Sequence, residues 1–252
     1  MKFTSLSSAA IIAALTIGAL APTAAVAAPE ELDSIGSVKV EEGGTDPDEE
    51  IDTVDPENPD ETLPEPDPDG PDEIVNPDIG PLMIERVSSL EFGSIKTSAN
   101  EVKTFASPMN YGEAGTRGNF VQWRDIRAGG MFGYTLTAEM TQQFTGESSN
   151  TLNGSTIDFS NGFMTAQGDN TNNAPSTVNS DFQLTEDGGA QTIVTASQEE
   201  QEGKGRYIMA FGNSADSTAD ESILLTVPAA TASNMAIGDY TAKVTWKVVA
   251  AQ

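Results

Sequence analysis

The sequence predicts an all-β fold: an antiparallel, two-sheet β-sandwich formed by residues 80–252. Short segments that alternate apolar and polar residues recur through this region, separated by clusters of Gly, Asn, Asp and Ser. No long segment shows the 3.6-residue apolar period of an amphipathic helix. After Phe3 the chain has no aromatic residue until Phe92. Because a core needs large apolar side chains, only the C-terminal part is expected to form one.

The clearest predicted strand is the last, where Tyr240, Trp246 and Val248 share the apolar face of an alternating segment. Its other face carries Thr and Lys, as expected for a strand with one buried and one hydrated side. The region around residues 132–140 alternates in the same way. The remaining predicted strands, in chain order, are 82–84, 90–92, 120–126, 157–159, 193–195, 207–211 and 223–227.

Composition excludes several functional classes. The 252 residues include 39 acidic and 12 basic side chains, a formal net charge of −27, and neither Cys nor His. Disulfides, cysteine nucleophiles, thiolate metal sites, imidazole-bound zinc and Ser-His-Asp catalysis are therefore impossible. The negative charge argues against nucleic acid or an anionic membrane as a partner. No cofactor and no metal site is expected.

Residues 1–27 have the pattern of a secretory signal peptide. Met1-Lys2 provides a positive start, an apolar run follows from Ala9 to Leu20, and Ala25-Val26-Ala27 forms an A-x-A cleavage site. No cysteine can accept a lipid, and no LPxTG sorting signal follows the last strand. We therefore expect an exported protein with no stable membrane anchor in its mature chain.

Residues 28–79 are predicted to form a disordered, acidic spacer. Residues 30–79 contain 20 acidic residues and one basic residue, and nine of the 14 prolines lie between Asp46 and Pro81. Proline favours an extended backbone and the carboxylates repel one another, so the segment is expected to stay open. Calcium binding by its acidic residues is the alternative, although the spacing differs from an EF-hand loop. That alternative involves Asp67, Asp69, Asp72 and Glu73.

Four segments carry a family resemblance. Residues 133–138 read Gly-Tyr-Thr-Leu-Thr-Ala, residues 238–248 end in Trp-Lys-Val, and two further motifs lie at 84–94 and 119–125. In order and spacing they resemble the WxL-domain proteins of Gram-positive bacterial surfaces. Against that family's patterns, Tyr134 replaces Trp, Val248 replaces Leu, and Trp123 replaces an aliphatic residue. The motif positions are Tyr134, Thr135, Leu136, Trp246, Lys247 and Val248.

The resemblance implies a cell-surface protein that binds the cell wall non-covalently, with peptidoglycan as partner. Because both parts of the chain are net negative, attachment must depend on short-range contacts. Arg117, Arg124 and Arg127 are candidates to meet a stem-peptide carboxylate, or else they are solvated surface charges. Trp123 is either a core residue or an exposed platform for a sugar ring.

Two other functional classes remain open at this stage. Carboxylates alone can hydrolyse glycosides, and Asp125, Glu139 and Asp158 are the available candidates. The sequence contains no nucleophile elbow, phosphate loop or metal motif, so we expect no enzymatic activity. The resemblance also admits a subunit of a multi-protein surface assembly, or an adhesin, whose domain binds a partner protein.

Overall fold

The computed structural model describes residues 33–46, 48 and 50–251. The predicted signal peptide lies outside these residues. The β-strands of the described part follow in chain order: β1 Glu73–Val75, β2 Leu82–Ser88, β3 Val102–Phe105, β4 Met109–Asn110, β5 Thr116–Arg117, β6 Asn119–Asp125, β7 Tyr134–Gly146, β8 Thr156–Phe159, β9 Gly162–Ala166, β10 Thr177–Val178, β11 Phe182–Thr185, β12 Gln191–Ala196, β13 Gly205–Phe211, β14 Ile223–Val227 and β15 Tyr240–Ala250. Helical structure in this part comprises a 3₁₀ turn, Gly112–Ala114, and one short helix, α1, Ala229–Ala232.

The strands form three main antiparallel sheets and a short ribbon. Sheet I has the order β1-β2-β6-β13-β9, sheet II β10-β12-β7-β15, and sheet III β11-β8-β14-β3, while β4 pairs with β5. Side chains of sheet I meet those of sheets II and III in one large core cluster. The prediction of an all-β, sandwich-like fold with antiparallel sheets is confirmed. The predicted strand at 90–92 is wrong, because this segment is a loop.

Alternate side chains along the strands point to opposite faces of the sheet, and this determines which of them form the main core. On β6, Val121 and Trp123 point into it, and on β13 Tyr207, Met209 and Phe211 do the same. Their rings and chains pack against buried residues of the facing sheets. Apolar burial of this extent is the main driving force for the fold, since the chain has no disulfide.

The second face of sheet I is also buried, and an acidic segment covers it. We call residues 51–63 the strap. Its Val54 is 1% exposed and packs, together with Leu63, in a second apolar cluster. The other residues of that cluster come from sheet I and the β4–β5 ribbon: Met109, Tyr111, Phe120, Ile208 and Ala210, with Phe163 packed beside them.

Polar contacts fix the strap to the sheet. The Val54 backbone N–H donates to Gln122 Oε1 at 2.8 Å, and Gln122 Nε2 donates to the Asp52 carbonyl at 2.9 Å. Asp55 forms a two-point ion pair with Arg117, at 2.8 and 2.6 Å. The strap thus satisfies polar groups on sheet I and on β5 that burial would otherwise leave unpaired.

This finding corrects the predicted spacer and the predicted domain start at residue 80. Acidic residues were expected to keep the whole segment open, but Arg117 of β5 pairs with Asp55, an arginine of sheet I pairs with another acidic residue of the segment, and the strap's apolar residues cover the sheet. The sheet I pair is Arg86 with Glu73, at 2.7 Å. A compact unit begins at Glu41. In the preceding unit, residues 33–40 are exposed and without regular secondary structure, and for residues 28–50 the spacer role stays a prediction.

Within the residues that the structure describes, no helix has the length and apolar character needed to cross a bilayer.

Candidate functional site

The two strands that carry the terminal and upstream motifs are hydrogen-bonded neighbours. β7 and β15 pair antiparallel along most of their length. Leu136 lies opposite Val248, Thr137 opposite Lys247, and Ala138 opposite Trp246. Two motifs separated by about a hundred residues of sequence therefore form one continuous structure in the fold.

The motif residues divide between the two faces of this pair. Tyr134 and Leu136 are fully buried, and Val248 packs half-buried against the core. Trp246 lies in an aromatic cluster, with ring centroids 6.0 Å from Phe159 and 6.3 Å from Phe211. Each of these side chains contributes to packing. Thr135 and Lys247 point the other way, away from the core.

Trp123 and Tyr134 contact each other in the core. Trp123 is 0% exposed, so a sugar ring cannot reach it in this structure. Its ring stacks on Tyr207 at 5.9 Å, and its indole N–H donates to the Tyr134 hydroxyl at 2.7 Å. Burial raises the pKa of Tyr134, which keeps the hydroxyl neutral. A buried indole N–H needs an acceptor, and a tryptophan at position 134 would not provide one.

The outer side of β7 and β15 is a polar surface, which we call the threonine–lysine face. Its residues are Thr135, Thr137, Thr141, Thr241, Lys243, Thr245 and Lys247. The Thr141 and Thr245 hydroxyls lie 2.8 Å apart and form a cross-strand hydrogen bond. The face also carries Glu139 and Val249. Its side chains are exposed or half-buried, so hydroxyl and ammonium groups are presented at regular sheet spacing.

The arginines that were predicted to contact the wall form ion pairs within the fold. All five arginines form ion pairs with carboxylates at 2.6–3.5 Å. The pairs are Arg86 with Glu73, Arg117 with Asp55, Arg124 and Arg206 with Glu85, and Arg127 with Asp125. Arg117, Arg124 and Arg127 therefore do not form one cationic patch, and each has a separate carboxylate.

The remaining cationic side chains are lysines. Lys103 pairs with Glu101, and Lys204 with Asp125. Among the residues that the structure describes, it gives no ion pair to Lys96, Lys243 or Lys247. Two of these three lie on the threonine–lysine face. The sequence showed the alternation that places them there, but it did not show that the arginines are already paired.

Buried carboxylates of the fold are held ionised. Burial alone would raise the pKa of Asp125, but hydrogen bonds from Arg127 and Lys204 hold this pKa below its usual value. Asp55 has a lowered pKa for the same reason, with Arg117 as its partner. Glu202 accepts backbone N–H bonds from Ser197 and Ser176, which likewise lower its pKa against the effect of burial. All three side chains act as structural anions.

These depressed pKa values predict acid sensitivity. A carboxyl with a lower pKa in the folded state stabilises the fold above its unfolded pKa, near 4, and loses that contribution as pH falls through the folded pKa. We therefore expect the free energy of unfolding to be constant near pH 7 and to drop below about pH 4. Urea unfolding at several pH values measures this change in the free energy of unfolding.

The matched variant for this expectation is Asp125→Asn. It removes one of the depressed carboxyls, so it should be less stable at pH 7 and show a shallower loss in acid. An unfolding free energy that rises as pH falls from 5 to 3 would contradict the assignment of these ion pairs.

A cleft adjoins the start of β15. It has a volume of about 800 Å³ and lies between residues 90–97 and residues 235–240, and Phe144, Leu152 and Leu225 also line it. The Phe92 ring meets Phe144 edge-on at 5.8 Å. Part of the predicted motif at 84–94 therefore lines a cleft. Lys96 lies at this cleft and not on the threonine–lysine face.

Comparison with known proteins gives one result. The model of a family described as WxL domain surface cell wall-binding matches residues 27–251. The match includes the strap, and it begins where the predicted signal peptide ends. Searches of curated proteins and of solved structures give no match.

Proposed function

Because the chain belongs to the WxL domain surface cell wall-binding family, it is a cell-surface protein, and we propose that it attaches non-covalently to the peptidoglycan of a Gram-positive wall through the threonine–lysine face. The observation that carries this proposal is the pairing of β7 with β15. The pairing turns Tyr134 and Trp246 toward the core and presents Lys243 and Lys247 on the opposite side, where the described part of the structure gives them no ion pair.

The chemistry of the face suits this polymer. Peptidoglycan offers sugar hydroxyls, amides and stem-peptide carboxylates. Threonine hydroxyls both donate and accept hydrogen bonds, so they match hydroxyls and amides, and a lysine ammonium pairs with a carboxylate. The net charge of −27 gives no long-range attraction to an anionic wall, so these short contacts must supply the affinity.

We propose binding without catalysis. Asp125, one of the three carboxylates considered for hydrolysis, is fully buried and paired with Arg127 and Lys204. Its lowered pKa makes it a poor proton donor near neutral pH. Asp158 accepts a hydrogen bond from Gln183 on sheet III, while Glu139 lies on sheet II. The two remaining candidates therefore belong to different sheets.

The lysines provide the test of the proposed face. Lys243→Gln/Lys247→Gln should weaken the affinity for purified, protein-free sacculi by about thirtyfold, because the two lost charged contacts contribute about 1 kcal/mol each. The fold should stay intact, since both side chains are exposed. Sedimentation over a range of sacculus concentrations measures the change.

Lys96→Gln/Lys103→Gln is the matched control, because it removes the same charge at the cleft and on β3. It should bind like the unaltered chain. Equal loss in both variants would indicate a general charge effect, and loss in the control alone would place the contact at the cleft. Unaltered binding of the β15 variant would contradict the proposed face.

A partner protein is the alternative ligand. The same sedimentation separates the two, because sacculi stripped of protein retain a direct wall binder and fail to retain a chain that needs a protein partner.

A further inference from the structure

β15 has one free edge. It is the last strand of sheet II, and β7 occupies its other side. In the described part of the chain no backbone hydrogen bond joins that free edge to another strand. The pairing with β7 shifts register between Thr241 and Val244 and is regular from Val244 to Ala250. A regular edge of seven residues is thus available for pairing.

The sandwich interior next to this edge is uncovered. β15 packs against β2, and sheet I continues one strand further, to β1. Ile74 on β1 lies opposite Val87, which packs on the core, so both side chains are on the inner face. Ile74 is nevertheless 58% exposed. An extra strand on the edge of β15 would lie over β1 and cover Ile74.

The chain contains a segment suited to that position. Ser34–Val40 also has seven residues, and Val38 and Val40 share one side of an extended backbone. In the single chain Val38 is 89% exposed and Val40 is 81% exposed. Residues 33–42 contain three acidic residues, Asp33, Glu41 and Glu42, and one lysine, Lys39, so this stretch has a net charge of −2. β15 contains two lysines and no acidic residue, so the charges are complementary.

We propose that Ser34–Val40 of one copy adds as a strand to the free edge of β15 in a second copy, and that its valines cover Ile74. Backbone hydrogen bonds would give the affinity, and burial of Val38, Val40 and Ile74 would give the register. The surface protein would thereby self-associate through its N-terminal segment. Exposed edges with apolar neighbours are the usual sites of such strand addition.

Single cysteines test the contact, because the chain has none of its own. Val38→Cys chains mixed with Ile74→Cys chains under mild oxidation should form a disulfide-linked heterodimer. The yield should exceed that of Val38→Cys mixed with Asp187→Cys, an exposed turn residue, by at least about tenfold, because docking raises the effective concentration. Equal yields would overturn the proposal. So would a double variant, Val38→Cys/Ile74→Cys, that closes its disulfide within one chain.

A second measurement needs no cross-link. Sedimentation equilibrium of the exported chain should show a concentration-dependent dimer or larger species, and Val38→Lys/Val40→Lys should remove it. Both side chains are exposed, so this variant should fold normally. A chain that stays monomeric at about 100 µM would overturn the proposal. No wall material is present in either assay, so the result is independent of the proposed wall contact.

Discussion

Val54→Asp is expected to lower the free energy of unfolding by about 4 kcal/mol or more. The substitution removes an apolar side chain that is 1% exposed and places a carboxylate among Leu63, Phe120 and Ile208. Arg117, which contacts the strap, is already paired with Asp55. Urea or thermal unfolding, followed by tryptophan fluorescence, measures the loss, because Trp123 lies in the main core and Trp246 packs against it.

Val40→Asp is the matched control for this prediction. It makes the same chemical change at a position that is 81% exposed, so the free energy of unfolding should change by less than about 0.5 kcal/mol. Similar stability for the two variants would mean that the strap is not part of the folded core.

Trp246→Ala is expected to cost about 3 kcal/mol of stability while the folded molecules still bind the wall. The ring packs among Phe159, Phe182 and Phe211, so its removal leaves a cavity in the aromatic cluster. The threonine–lysine face lies on the other side of the strand and keeps its groups. Unfolding measurements and sacculus binding below the unfolding transition separate the two effects.

Trp246→Phe serves as the control, because it keeps an aromatic ring at the same site. It should lose less than half as much stability. If Trp246→Ala left stability unchanged but abolished sacculus binding, the tryptophan would be a ligand contact and not a core residue.

Much of the sandwich could be predicted because alternation is a local property of the sequence. The alternating segment from Tyr240 defined β15 with its correct inner and outer faces. The strap was missed because its composition is that of an open chain. One signal was present: β6 and β13 are apolar at consecutive positions, as in Phe120-Val121 and Ile208-Met209. Strands buried on both faces require a second cover.

The candidate site was predicted in part. The motifs correctly marked β7 and β15 as strands, and their lysines were visible as polar alternates. Arg117, Arg124 and Arg127 stay predicted wall contacts, and the sequence did not show that each of them forms an ion pair within the fold. Asp55 is 62 positions from Arg117 in sequence, and no spacing rule reveals such a pair. Only the contacts of Trp123 with Tyr134 and Tyr207 show that it is a core residue and not an exposed platform for a sugar ring.

The most direct test of the account is sedimentation of the exported chain with sacculi that have been stripped of both proteins and anionic wall polymers. The whole chain is needed, because a fragment starting at residue 80 would lack the strap. We predict that the protein sediments with the sacculi, that denaturant releases it, and that a chelator has no effect, since ammonium–carboxylate contacts need no bridging cation. Protein that stays in the supernatant with stripped peptidoglycan, while sedimenting with untreated walls, would contradict direct peptidoglycan binding.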